Sequence, residues 1–161
     1  MGILAGMVTY NATGSIKAAV IVGASAFVLT FIGFGGIGLL NTAITGGTVS
    51  SPHLLNPDSW QEAESMLGKV LQLHKNHFNY FVQGMTKARR PDFIDMGRRF
   101  IADSKWKQEL YKTQQLEDMA KLAEKWGVKL YIFVRENTKV YDPVIELCKE
   151  TGGGVIRIFK G

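Results

Sequence analysis

Between Lys17 and Asp58 the chain carries no lysine, arginine, aspartate or glutamate, and this gap joins two different kinds of polypeptide. All 14 acidic residues and 18 of the 19 basic ones lie from Asp58 onward, whereas ten of the 18 glycines precede it. Ala18 to Leu40 alone runs 23 residues without a charge, and a membrane span needs about 20 predominantly apolar residues. Its glycines lower helix propensity in water but permit close helix packing in lipid. A secretory signal peptide fits poorly, because the only basic residue is Lys17 and the apolar run is too long. Three accounts stay open: burial against a larger protein of which this is a piece, insertion into a membrane, or an ordinary soluble core. Thr42 to Asn56 is rich in Gly, Ser and Thr and reads as a linker. Residues 1–57 are therefore expected to be a hydrophobic, glycine-rich leader of translocation type with its linker, and residues 58–161 a separate domain.

From Asp58 the pattern becomes that of a folded α/β domain. Asp58 or Ser59 is placed to cap a helix with Glu62 in its first turn and Trp60, Ala63, Met66, Leu67, Val70, Leu71 and His74 at helical spacing. Phe78 to Val82 is aromatic and predicts a strand. Asp92 to Asp95 and Arg99 to Lys105 predict two more, joined by a short turn at Met96-Gly97-Arg98. Apolar spacing from Lys107 to Trp126 predicts a helix ended by Gly127. Val128 to Val134 has the near-continuous apolar character of a strand buried on both faces. Tyr141 to Glu150 predicts a short helix, and Val155 to Phe159 a last strand, giving the order α-β-β-β-α-β-α-β with a mixed sheet.

Hydrolysis of a phosphodiester needs a divalent cation, a water deprotonated near neutral pH and positive charge near the phosphorus. Hard cations take oxygen ligands, often two carboxylates plus water and phosphate. Asp92 and Asp103, on neighbouring antiparallel strands, supply such a pair. Asp103 and Lys105 are two apart on one strand and so share a face. The backbone carbonyl of Ser104 offers a further ligand, and Lys105 is suited to act as general base or as an electrophile. The net charge of +5 mildly favours an anionic partner.

The run RPDFID…FIADSK resembles the PD-(D/E)XK motif of restriction-endonuclease-like nucleases, with Pro91-Asp92 as the "PD" and Asp103-Ser104-Lys105 as the "(D/E)XK". The second acid is Asp where Glu is more usual, which shifts a metal by about one methylene. The resemblance spans roughly residues 60–160 and implies an α/β, restriction-endonuclease-like core (α-β-β-β-α-β) with a mixed central sheet. It implies Asp92, Asp103 and Lys105 as catalytic, Mg²⁺ or Mn²⁺ as cofactor, Glu64 (or Glu62) as an added acid on the first helix, and Gln115 on the helix after the lysine. The chain is similar, more narrowly, to nuclease modules at the C-termini of bacterial polymorphic toxins of the Rhs and contact-dependent inhibition kinds. That implies a domain of a parent secreted toxin, delivered to the cytoplasm of a target bacterium, acting on DNA and neutralised by an immunity protein, with transient membrane contact through residues 18–40.

The basic residues Arg89, Arg90, Arg98, Arg99 and Lys107, with Lys87, are expected to surround the site and contact phosphates. His53, His74 and His77 lack a third ligand for zinc and read as surface or capping residues. Gly152-Gly153-Gly154 reads as a turn, since no Lys-Ser/Thr pair follows it. Trp60, Trp126 and the single cysteine, Cys148, are expected in the core. Rival readings are an RNase toxin or DNA-repair nuclease of the same fold, and a non-enzymatic toxin that inserts residues 18–40 into membranes.

Overall fold

The computed structural model describes residues 48–161 together with three two-residue strands, β1 (Thr9–Tyr10), β2 (Ile16–Lys17) and β3 (Ile44–Thr45). The apolar stretch 18–40 lies outside the described residues. Among the described residues no helix is long and apolar enough to cross a membrane.

The sheet is built around a strand with no polar face. β8 (Lys129–Arg135) buries Leu130, Ile132 and Val134 on one side and Tyr131 and Phe133 on the other, as alternation requires of a strand covered on both faces. It pairs in parallel with β6 (Phe100–Lys105) and with β10 (Gly154–Phe159). β5 (Phe93–Asp95) lies antiparallel to β6, and β4 (Thr48–Leu55) lies parallel to β10. The six-stranded order is β3-β4-β10-β8-β6-β5, a mixed sheet as expected.

Helix α1 (Trp60–Leu71) covers one face through Ala63, Leu67 and Leu71, packed with Phe93, Phe100, Phe133 and Phe159. Helices α2 (Gln114–Trp126) and α3 (Asp142–Glu150) cover the other, bringing Leu116, Met119, Leu122, Val144 and Cys148 against Ile101, Leu130, Ile132 and Val155. Cys148 is fully buried there, and burial pushes its thiol up to about 12, so it packs as a small apolar group. The first helix starts on the cap its sequence announces. Ser59 Oγ accepts from Glu62 N–H at 3.2 Å while the Glu62 carboxylate accepts from Asp58 N–H at 2.7 Å, a variant of the reciprocal Ser/Glu cap. Gly127 closes α2 at φ 64°, in the left-handed region that glycine favours.

Four expectations change. Thr48 to Leu55 is not linker but a strand, because β10 presents a parallel edge that β-branched Thr48 and Val49 match. The register slips between Arg157 and Phe159, opposite the segment with Pro52, which cannot donate to a ladder. Phe78 to Val82 forms only an isolated bridge, Tyr80 to Arg89. The predicted helix from Lys107 begins only at Gln114, since Thr113 caps it and Glu109–Leu110 (β7) pair in parallel with Lys139–Val140 (β9). Trp60 is 50 % exposed rather than core, with the Lys75 ammonium 5.9 Å from its ring centre; Trp126 is half-buried, edge-on to Tyr80 at 4.9 Å.

The glycine turn before β10 is a packing requirement. A Cβ on Gly153 would sit 1.9 Å from the Leu130 carbonyl oxygen, far inside contact distance and against backbone. Gly153→Ala is expected to destabilise by at least about 1–3 kcal/mol, the usual cost of overpacking, read as a lower urea midpoint with the slope unchanged. A wild-type midpoint would show that the α3–β10 turn yields freely.

Candidate active site

The β5–β6 hairpin sets the geometry. Phe93 pairs with Ala102 and Asp95 with Phe100, so continuing the register by one residue lays Asp92 beside Asp103 at the open end of the pair. Phe93, Phe100 and Ala102 face α1. Alternation therefore directs Asp92, Asp103 and Lys105 toward the α2 side. Ser104 fastens the two strands there: its N–H and Oγ both donate to Asp92 Oδ2, at 2.8 and 3.0 Å.

Asp103 is 3 % exposed. Lys105 Nζ lies 2.5 Å from its Oδ2, yet that oxygen makes no hydrogen bond among the described residues. Burial raises the Asp103 carboxyl to about 7; the Lys105 charge opposes the rise and the Asp92 carboxylate adds to it. Lys105 Nζ also donates to Gln115 Oε1 at 3.3 Å, from the first turn of α2. Asp92, Asp103, Lys105 and Gln115 are thus brought together by three elements.

Glu64 is placed differently. It lines a cleft of about 200 Å³ with Ala63, Ser104, Lys105, Trp106 and Lys107, but its carboxylate pairs with Lys75. No three His, Cys, Asp or Glu side chains among the described residues come close enough to hold a metal, so Glu64 does not extend the Asp92–Asp103 pair. The reason is that α1 covers the face opposite the two aspartates. Glu62 is taken up by the helix cap. His74 and His77 are exposed.

The expected ring of basic residues is broken up. Arg98 and Arg99 sit in the turn Met96–Arg99, at the far end of the hairpin from Lys105. Arg98 pairs with Asp95 and donates to the Leu71 carbonyl, and Arg99 donates to the Gly127 carbonyl at 3.0 Å. Arg89 is held by buried Asp118, with Nε 2.8 Å from Oδ2. Arg90 and Lys107 remain exposed, and Lys107 lines the cleft.

Two residues escaped the sequence reading. Asp118 is fully buried and joins Thr86, Arg89 and Gln114; its signal was an acid inside the apolar stripe, four before Leu122. Arg135, at the end of β8, lays its guanidinium 5.0 Å from the Trp106 ring centre; an arginine closing an apolar strand was the available signal.

The model of a protein family described as restriction endonuclease fold toxin 7 matches residues 61–144, just over half of the chain. No curated protein and no solved structure matches it.

Proposed function

The chain belongs to the restriction endonuclease fold toxin 7 family, and from that premise we propose that its folded domain is a metal-dependent endonuclease. Its substrate is nucleic acid in a target bacterium, DNA in the first instance. One observation carries the reading: two neighbouring carboxylates, one of them buried, stand beside a lysine that pairs with the buried one and lines a cleft.

The donor set fits a hard divalent cation. Asp92 and Asp103 offer carboxylate oxygens, Asp103 Oδ2 has the Lys105 ammonium as its one polar neighbour among the described residues, and the Ser104 carbonyl is a third candidate. Mg²⁺ or Mn²⁺ needs no more than this from the protein, since water and phosphate complete its shell. A cation held there would act as a Lewis acid toward the scissile phosphate and lower the pKa of an attacking water. The chain's own groups do the rest. Ser104 fixes the Asp92 carboxylate through two hydrogen bonds. Asp103 and Gln115 hold the Lys105 ammonium beside the carboxylate pair, where it offsets charge building on the phosphate or, when neutral, accepts a proton from the attacking water. A toxic nuclease of this kind implies a parent secreted protein for delivery and a cognate immunity protein that shields the producer.

The test is incubation of the full chain with plasmid DNA and with total RNA, in Mg²⁺, in Mn²⁺ and in EDTA. Cutting of DNA that EDTA stops is the expected result; cutting of RNA alone moves the substrate, and cutting in EDTA rejects the metal. The pH profile adds a second check. Asp103 keeps its proton up to about 7, from burial against the opposing Lys105 charge, and that proton competes with the cation. At subsaturating Mg²⁺ the rate is expected to fall about tenfold per pH unit below that value and to level off above it. A profile flat from about pH 5 to 8 would remove Asp103 from the ligand set.

A further inference from the structure

Arg135, at this end of the sheet, is a cation that no carboxylate among the described residues pairs. Its Nε is buried and makes no hydrogen bond among them. A buried guanidinium nitrogen without a hydrogen-bond partner is costly, so the surroundings that keep it there are informative. The guanidinium carbon lies 5.0 Å from the centre of the Trp106 ring, within cation–π range. Trp106 is itself braced edge-on by Phe159 at 5.8 Å. The backbone beneath is held by Arg157, whose Nη1 donates to the carbonyls of Arg135, Glu136 and Thr138 at 3.4, 2.9 and 2.5 Å. The nearest acid in the chain, Glu136, is exposed and accepts from Gly161 N–H.

The placement gives the arginine a use. Lys105 pairs with Val134, so Arg135 stands one residue beyond the candidate lysine, on the adjacent strand and on the α1 side. Trp106 and Phe159 line the cleft that Lys105 and Lys107 also line. We propose that Arg135, held beside Trp106, binds a backbone phosphate of nucleic acid next to the one cleaved at Lys105. The assignment rests on the nuclease reading. The two terminal guanidinium nitrogens suit two phosphate oxygens at once, and the contact with Trp106 restrains the side chain before binding.

The test is binding of a fluorescein-labelled DNA duplex to the full chain in EDTA, by anisotropy, over a series of salt concentrations. Arg135→Gln is expected to weaken binding about tenfold and to lessen the slope of log Kd against log salt by about one, the loss of one phosphate contact. Arg135→Lys is expected to keep the slope, since the charge remains, and still bind several-fold more weakly, since the fork and its contact with Trp106 are gone. Circular dichroism reports whether each variant folds; should the glutamine variant not fold, the lysine variant decides, and wild-type affinity in it overturns the proposal. Unchanged affinity and slope in folded Arg135→Gln overturn it equally. A wild-type chain that binds no duplex at any salt would instead reject the nuclease reading, and the phosphate site with it.

Discussion

Asp103→Ala is expected to leave the domain folded and to lower the rate of DNA cleavage by about three orders of magnitude or more. Loss of Lewis-acid stabilisation is worth several kcal/mol, and each 1.36 kcal/mol is about a factor of ten in rate. Asp103 also holds Lys105, so one substitution removes a ligand and releases the neighbouring cation. Asp103→Asn sharpens the test, because it keeps shape and removes charge. An acid whose pKa rises on folding binds its proton more tightly in the native state. Stability is then lost as pH climbs from the unfolded value near 4 toward the folded value of about 7. Above that, the ionised carboxylate is a burden that the asparagine lacks. In EDTA at about pH 8, Asp103→Asn should therefore melt higher than wild type, and the difference should vanish near pH 4. Inactivity with a raised melting temperature marks a site where charge is kept for chemistry at a cost in stability. Cleavage that survives either substitution would leave the Asp92–Asp103–Lys105 grouping a coincidence of spacing.

The candidate site was legible because its logic is local. Asp103 and Lys105 are two apart on one strand, Asp92 is one hairpin away, and Gln115 sits in the next helix's first turn; alternation and helical period converge these without knowledge of the rest. β8 was legible for a similar reason, since seven residues with scarcely a polar one have no exposed face to offer. What was not legible depends on partners distant in the chain. Thr48 to Leu55 becomes a strand only because β10, a hundred residues later, needs an edge partner. Phe78 to Val82 has strand composition, but Tyr80 spends its pairing on one bridge to Arg89 and its ring on Trp126. Glu64 has suitable chemistry and helical placement, yet α1 docks on the face away from the aspartates. The basic residues divide because a list of positive charges does not say which already have carboxylates: Arg89 and Arg98 do, while Arg90 and Lys107 stay exposed.

Asp118→Ala is expected to have the largest effect on stability, about 3–5 kcal/mol, the cost of breaking a buried ion pair from one side. The carboxylate is fully buried beneath the loop that precedes the hairpin. Thr86 N–H donates to Oδ1 at 2.9 Å, Thr86 Oγ1 and Arg89 Nε donate to Oδ2 at 2.7 and 2.8 Å, and Gln114 Nε2 reaches Oδ1 at 3.3 Å. Burial works to raise its pKa, but the donors from Thr86, Arg89 and Gln114 outweigh it and hold the carboxyl well below the usual carboxylate range. A depressed folded pKa contributes stability that is fully present above the unfolded value near 4 and is lost as pH falls through the folded value. The wild type should therefore show a steep acid limb in its stability that Asp118→Ala lacks. Arg89 then remains half-buried without its partner, so Asp118→Ala with Arg89→Met should be less damaged than the single variant. The loop ends at Asp92, and Asn76 ties the two regions together: its N–H donates to the Asp92 carbonyl at 2.7 Å and its Nδ2 to the Pro91 carbonyl at 2.9 Å. Loss of the Asp118 anchor should consequently slow cleavage even in molecules that remain folded, because Asp92 arrives at the site on that loop. A single variant as stable as wild type at neutral pH, with the same acid limb, would show that the loop is held by its bridge and aromatic contacts alone.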